Sequence, residues 1–285
     1  MDENRVIRLE GISFAYQSTP GTPVLDGLDA EISLSRHTLV LGPVASGKST
    51  LARIVAGLEE PSRGRVVWPE GSGSGPAEGW ESLGCGVVFA DPAFQLQGFT
   101  VREEIETGLA YRGAGAGPRA ERALLVAGQL GLEPLIDHSL QPLDTPTLLA
   151  VLVASFLALH PALLVLDFSL TELDRVFREK LLSFCRSEGS PALLVASRRA
   201  EDLAILGENS DVFLLADSRL ECLVGPIDSA DIVQLLSSRG IRLPWYAGRT
   251  AALRAEGRFA KVFFADEQEL LSLLTPSRPA PPETP

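Results

Sequence analysis

"GPVASGKS", Gly42 to Ser49, follows the apolar run "HTLVLG" and opens "GKSTLARIVAGL". A buried strand thus passes through a tight turn into a helix that should close at Gly57. The spacing G-x-x-x-x-G-K-S at such a junction has a chemical reason. Small residues let consecutive backbone N–H groups turn toward one anion, and the helix behind them aims its N-terminus at the same point. Lys48 adds a positive charge suited to the β and γ phosphates of a nucleotide, and Ser49 offers a hydroxyl to a magnesium ion. A phosphate-binding loop within an α/β fold is therefore the expectation.

Working outward, "VIRLEGISFAY" (Val6–Tyr16) and "LDAEISL" (Leu28–Leu34) alternate as antiparallel strands do, with "STPGTP" as their turn. "PSRGRVVW" reads as a further strand and "PEGSGSGPAEG" (Pro69–Gly79) as a flexible insertion. "CGVVFA" is a strand leading into a loop. Glu104–Leu132 reads as two helices broken by a Gly/Ala linker, and "TLLAVLVASFLALH" is apolar on every face, as in a fully buried helix. Strand "ALLVLD", helix "ELDRVFREKLLSFCRSEG", strand "ALLVAS", a short helix and strand "DVFLLA" complete the alternation. The pattern predicts a mainly parallel core sheet covered on both sides, an antiparallel β subdomain and a helical subdomain at about 100–160. Residues 1–225 form the main domain, 226–274 a C-terminal extension, and 275–285 ("TPSRPAPPETP") a disordered tail.

Composition narrows the function classes. The chain has 285 residues and a formal charge of −12, which disfavours a broad basic face for nucleic acid. No apolar run reaches the roughly 18 residues needed to cross a bilayer, and the N-terminus lacks the apolar core of a signal peptide, so a cytoplasmic location is expected. Cys85, Cys185 and Cys222, and likewise His37, His138 and His160, show no metal-ligand spacing and read as structural residues.

The ordered set of motifs resembles the ATP-binding subunits of ABC transporters over about residues 5 to 225. "VLDGLDAEI" before the phosphate loop, "AGLEEPSRGRV" after it, "GFTVREEI", "LVLD" and "TELD" all match the family's pattern. The resemblance implies a P-loop NTPase of ABC ATPase type that binds ATP and Mg2+. It assigns phosphate binding to Gly42, Pro43, Val44, Ala45, Ser46, Gly47, Lys48, Ser49 and Thr50, adenine stacking to Tyr16, and the metal to Ser49 and Asp167. Beyond Gly225, "LLSSRGIRLPWYAGRTAALRAEG" is similar to the extension of one branch, the energy-coupling factor transporters that import vitamins and metal ions.

Four departures bear on mechanism. Ala90 stands where the family has a glutamine, with Gln95 nearby but out of register. Phe168 stands where it has the catalytic glutamate, and Arg198 where it has the switch histidine. None of these replacements can accept a proton from water. The family's signature becomes "LDTPT", Leu143–Thr147, in which Asp144 or Thr145 can cap the helix start and Pro146 suits its first turn. An anion site made from free helix N–H groups is thereby turned into a capped helix. The resemblance accordingly implies a hydrolysis-poor subunit paired with a second, competent ABC ATPase. It would lie on the inner face of the cell membrane, contacting a transmembrane subunit through Ala90–Phe99. Two alternatives stay open: a vestigial or regulatory nucleotide-sensing protein, and an active ATPase with substitute groups.

Overall fold

Buried Ile7, Leu9, Ile12 and Phe14 alternate with more exposed residues along β1 (Val6–Phe14), and their phase shifts by one at Gly11, which has φ 61°. The shift is a β-bulge: pairing with β2 (Leu25–Ser33) and with β4 (Arg63–Val67) slips register there, keeping Ile12 and Phe14 facing the core. Gly64 of β4 completes the close approach. It has φ 83°, and a Cβ there would sit 2.3 Å from the Glu10 carbonyl oxygen. The computed structural model describes residues 5–18, 21–69, 83–187, 190–207, 209–223, 230–244 and 247. Most of the insertion at 69–79, much of the expected C-terminal extension and the whole of 275–285 lie outside these residues.

A second sheet has the order β5-β6-β7-β3-β8-β9. It comprises β3 (Thr38–Leu41), β5 (Leu83–Phe89), β6 (Pro161–Asp167), β7 (Ala192–Ser197), β8 (Asp211–Ala216) and β9 (Arg219–Cys222). All pairs are parallel except β8 with β9. The helices are α1 (Lys48–Val55), α2 (Val101–Tyr111), α3 (Ala116–Leu130), α4 (Thr145–Ala158), α5 (Arg175–Cys185), α6 (Glu201–Leu206) and α7 (Ala230–Ser238). One apolar cluster joins a face of this sheet to α2 through α5, and a second joins the other face to α1 and the antiparallel sheet. The mixed α/β architecture is the one the strand–helix alternation predicts. α4 is buried along most of its length, and Arg122 of α3 donates from Nε and Nη2 to the Ala158 and Leu157 carbonyls at its C-terminus.

Two local expectations are corrected, and one strand is added. β2 begins at Leu25, not Leu28, because its N-terminal half completes the ladder with β1. The helix expected from Glu172 starts at Arg175: Asp174 accepts from the Val176 and Phe177 N–H groups, while Leu170–Glu172 forms a separate 3-10 turn capped by Ser169. The short, largely exposed β9 carries too few apolar residues to announce itself in the sequence.

Candidate functional site

Parallel register brings the carboxyl ends of four strands to one edge, the usual location of ligand crevices in α/β sheets. Leu41 at the end of β3 pairs with Ser197 at the end of β7, and Phe89 at the end of β5 pairs with Asp167 at the end of β6. Gly42, Ala90, Phe168 and Arg198 therefore emerge from neighbouring strands, although they are distant in sequence.

The loop between β3 and α1 is built by close backbone contacts. Ala45 and Gly47 adopt left-handed conformations with φ 63° and 100°. A Cβ on Gly42 would meet Ser46 Oγ at 2.4 Å, and one on Gly47 would meet Leu25 and Val24 at 2.9 Å. Lys48 Nζ donates to the Gly42 and Pro43 carbonyls at 2.9 and 2.7 Å, and lies 3.4 Å from Ser46 Oγ. The N-terminus of α1 has no side-chain cap, and Val44 is exposed at the loop. Tight backbone turns, a clamped ammonium and an uncapped helix start form a cradle whose donors suit a phosphate group.

Asp167 lies beside the Ser49 hydroxyl. Its burial raises the carboxyl above the ordinary value, opposed by the nearby Ser49 hydroxyl and by the charges of Lys48 and Arg53. Burial likewise lowers the Lys48 ammonium, with Asp167 opposing and the nearby Arg198 charge adding to the effect. A hydroxyl beside a carboxylate at the loop is the oxygen-donor pair a magnesium ion accepts. Tyr16 stands next to the same helix, its hydroxyl 2.8 Å from Thr50 Oγ1 and its ring edge-on to Phe14 at 5.0 Å between centroids.

The positions of the departures have different fates. Gln95 is engaged with the open edge of β5: Oε1 accepts from Phe89 N at 2.7 Å and Nε2 donates to the Val87 carbonyl at 2.8 Å. Its amide is thereby committed to finishing a strand edge. Phe168 is buried, 4% exposed, within the larger apolar cluster. Arg198 is exposed, and Asp144, not Thr145, caps α4 by accepting from Thr147 N at 3.0 Å. The Thr147 side chain first, and then this backbone N–H, hold the Asp144 carboxyl below the ordinary value. His37 accepts from Leu193 N through Nδ1, and among the described residues no cluster of His, Cys, Asp or Glu could hold a metal by itself. Burial pushes the Cys85 and Cys185 thiols up to about 12, which leaves them un-ionised at neutral pH.

One group escaped the sequence reading. Asp202 of α6 is fully buried and accepts from Ser169 Oγ at 3.0 Å. That bond ties α6 to the turn after β6, while the other oxygen, Oδ2, is buried with no hydrogen-bond partner. Burial pushes the carboxyl up to about 6 despite the nearby Ser197 and Ser169 hydroxyls and the Leu170 main chain. A raised value means that the stability this group contributes is full below the ordinary carboxylate pKa and is lost as pH rises through about 6. Asp202→Asn should therefore gain stability relative to the parent as pH rises from 4.5 to 8, by on the order of 2 kcal/mol. Urea unfolding of both proteins at the two pH values checks this, and an offset independent of pH would show that Asp202 titrates normally.

The phosphate-type loop at the carboxyl edge of a mainly parallel sheet, with an antiparallel sheet and a helical layer beside it, defines a nucleotide-binding α/β protein. The sequence profile of the ABC transporter family matches residues 25–169, just over half of the chain, and the chain belongs to that family. Among curated proteins, it is similar to the energy-coupling factor transporter ATP-binding protein EcfA1 of Halalkalibacterium halodurans, 27% identical over 267 residues covering 93% of this chain and 95% of the relative. The Bacillus subtilis protein of that name is 26% identical, covering 90% and 92%. Among solved structures, CbiO1 of Clostridium perfringens, part of the ABC transporter complex CbiONQ, superposes with a TM-score of 0.65 at 21% identity, covering 84% of this chain and 93% of that one. An ATP-binding cassette in a post-hydrolysis state bound to ADP and Pi gives 0.61 at 22% identity, covering 77% and 99%. The structural likenesses carry the fold; the curated relatives point to the energy-coupling branch. Among the described residues no helix is long and apolar enough to cross a membrane.

Proposed function

We propose that the chain is the ATP-binding subunit of an energy-coupling factor-like ABC importer, one that binds Mg-ATP but hydrolyses it poorly and works with a different, competent ATPase subunit. The observation that carries this reading is the contrast within one strand-end edge: a complete phosphate cradle beside catalytic positions with no proton acceptor. Lys48 and the Gly42–Thr50 backbone would hold the phosphates, Ser49 and Asp167 the magnesium, and Tyr16 would flank the base. A general base typically contributes 10²–10⁴-fold to such a reaction, and Ala90, Phe168 and Arg198 supply none. Binding without hydrolysis still does work, because ATP held between two subunits favours the closed pair and closure can move attached transmembrane helices.

The signature position argues for an unlike partner. Asp144 takes the Thr147 N–H at the α4 N-terminus and adds negative charge there, so two copies of this chain would make no good composite site. A competent partner would bring its own signature to this chain's phosphate loop. We assign residues 1–225 to the ATP-binding domain, with about 100–160 as its helical part, and 226–274 to an extension. The location is cytoplasmic, peripheral on the inner face of the membrane.

Contact with the transmembrane subunit falls to Ala90–Phe99. Phe94 and Phe99 are 89% and 81% exposed, far more than large aromatic side chains usually are without a partner. Purification of the tagged chain from native membranes should recover a second ABC ATPase and a membrane protein, and Phe94→Glu with Phe99→Glu should release the chain into the soluble fraction. Recovery of the unmodified chain alone, in the soluble fraction, would overturn the transporter reading in favour of a soluble nucleotide sensor.

A further inference from the structure

The residues that follow α7 return to the phosphate site. Ile241 N donates to the Leu236 carbonyl and Gly240 N to that of Ser237, a C-terminal turn allowed by φ 71° at Gly240. Leu236 and Ile241 are buried in the larger apolar cluster, at 0% and 5% exposure, so the segment is anchored in the core of the domain. Arg239 pairs with Asp217 on the β8–β9 turn.

Three contacts then close a ring. The phosphate loop meets the switch segment where Gly42 N donates to the Ser197 carbonyl at 3.1 Å. The switch segment meets the C-terminal segment through a parallel bridge: Arg242 N donates to the Arg198 carbonyl at 2.7 Å, and Ala200 N to the Arg242 carbonyl at 2.9 Å. The C-terminal segment reaches the phosphate loop again at Gly240, where a Cβ would lie 3.9 Å from Pro43 Cβ. Loop, switch and C-terminal segment are thus in mutual contact although they lie some 150 and 40 residues apart in sequence. Arg198 directly follows Ser197, whose carbonyl accepts from Gly42 N, so it leaves its strand beside the loop that carries Lys48; it is exposed, and no ion pair of Arg198 occurs among the described residues. Two neighbouring cations of this kind gain from an anion placed between them.

From this ring of contacts we infer that residues 239–244 act as a latch on the switch segment: their backbone pairing positions Arg198 at the phosphate loop, so that nucleotide binding and latch docking stabilise each other. The inference rests on the nucleotide reading above. Coupling of this type is reciprocal, which provides two independent readouts. Arg242 acts through its main chain, as a positioning residue.

The bridge is broken selectively by Arg242→Pro, which removes the N–H that Arg198 accepts and leaves Leu236 and Ile241 in place. Calorimetry with Mg-ATP should show affinity reduced roughly 5- to 20-fold in this variant. Arg198→Ala should also weaken binding, and adding Arg242→Pro to it should cause no further loss, because the latch acts through that side chain. In the unmodified chain, Mg-ATP should slow amide hydrogen exchange over 239–244, a measurement that stays valid even where the proline variant folds badly. Unchanged affinity in a folded Arg242→Pro protein, an equal further loss in the Arg198→Ala background, or exchange over 239–244 indifferent to bound nucleotide would each overturn the latch. Absence of ATP binding by the unmodified chain would instead overturn the nucleotide reading beneath it.

Discussion

Lys48→Ala should abolish Mg-ATP binding in a calorimetric titration that is expected to detect binding to the unmodified chain. The ammonium has two tasks at once. It holds the loop by donating to the Gly42 and Pro43 carbonyls, and in the proposed function it carries the charge that phosphate oxygens would meet first. Alanine removes the charge and frees both carbonyls in a partly buried loop, where a hydrogen bond involving a charged group contributes on the order of 1.5–3 kcal/mol. Two such contacts to phosphate oxygens correspond to a loss of roughly 100- to 10,000-fold, which carries a parent that binds at about 10 μM into the millimolar range or beyond. A thermal melt of the variant separates loss of the site from loss of the fold. Affinity retained in Lys48→Ala would mean that the anion binds elsewhere, and an unmodified chain silent at millimolar nucleotide would overturn the ATP-binding assignment itself.

The second large effect is a rescue that fails. Phe168→Glu returns a carboxylate to the residue after Asp167, yet it should not yield turnover, and it should weaken the fold. Phe168 is 4% exposed inside an apolar cluster. Glutamate there forfeits the packing of the ring and takes an ionisable group out of water, at a cost on the order of 3–5 kcal/mol. The carboxylate would rotate toward the site only at the expense of a cavity left behind. It would then find Ala90 without a polar side chain, Gln95 held by β5, and Arg198 close by. An Arg–Glu pair would fix it away from water. Steady-state phosphate release by Phe168→Glu and by the triple variant Ala90→Gln, Phe168→Glu, Arg198→His, each alone and with a candidate partner ATPase, gives the measure of catalysis. Urea unfolding gives the measure of stability. Groups that act as a unit are strongly non-additive, so robust turnover in the single variant would show the site to be one substitution from an enzyme.

Much of this was legible residue by residue, for a common physical reason. Where the chemistry is local, sequence suffices. The phosphate loop needs small residues, a lysine and a serine at fixed short spacings, and those spacings survive any tertiary arrangement. The helix cap at "LDTPT" is equally local: a short polar side chain reaches an N–H three residues on, and Asp144 does so to Thr147. Strand–helix alternation follows from periods of 2 and 3.6 and from the apolar character of α4. The absence of glutamine, glutamate and histidine at three expected positions was also visible in sequence, since it depends on residue identity alone.

What only the tertiary structure decided is where side chains with two possible destinations went. Gln95 can donate and accept and would serve a ligand or a strand edge; it binds the edge because, among the described residues, β5 is the outermost strand, with backbone groups that no further described strand pairs. Phe168 turns inward because the larger apolar cluster lies behind β6 and burial of a phenyl ring there outweighs any contact at the polar edge. Asp202 gives no sign in sequence, since a carboxylate in a helical pattern reads as a solvated face until Ser169, Ser197 and the Leu170 main chain converge on it. The docking of 239–244 on the switch segment was equally out of reach: main-chain hydrogen bonds between segments 40 residues apart carry no residue preference, so nothing in the letters Arg198 and Arg242 announces that their backbones pair.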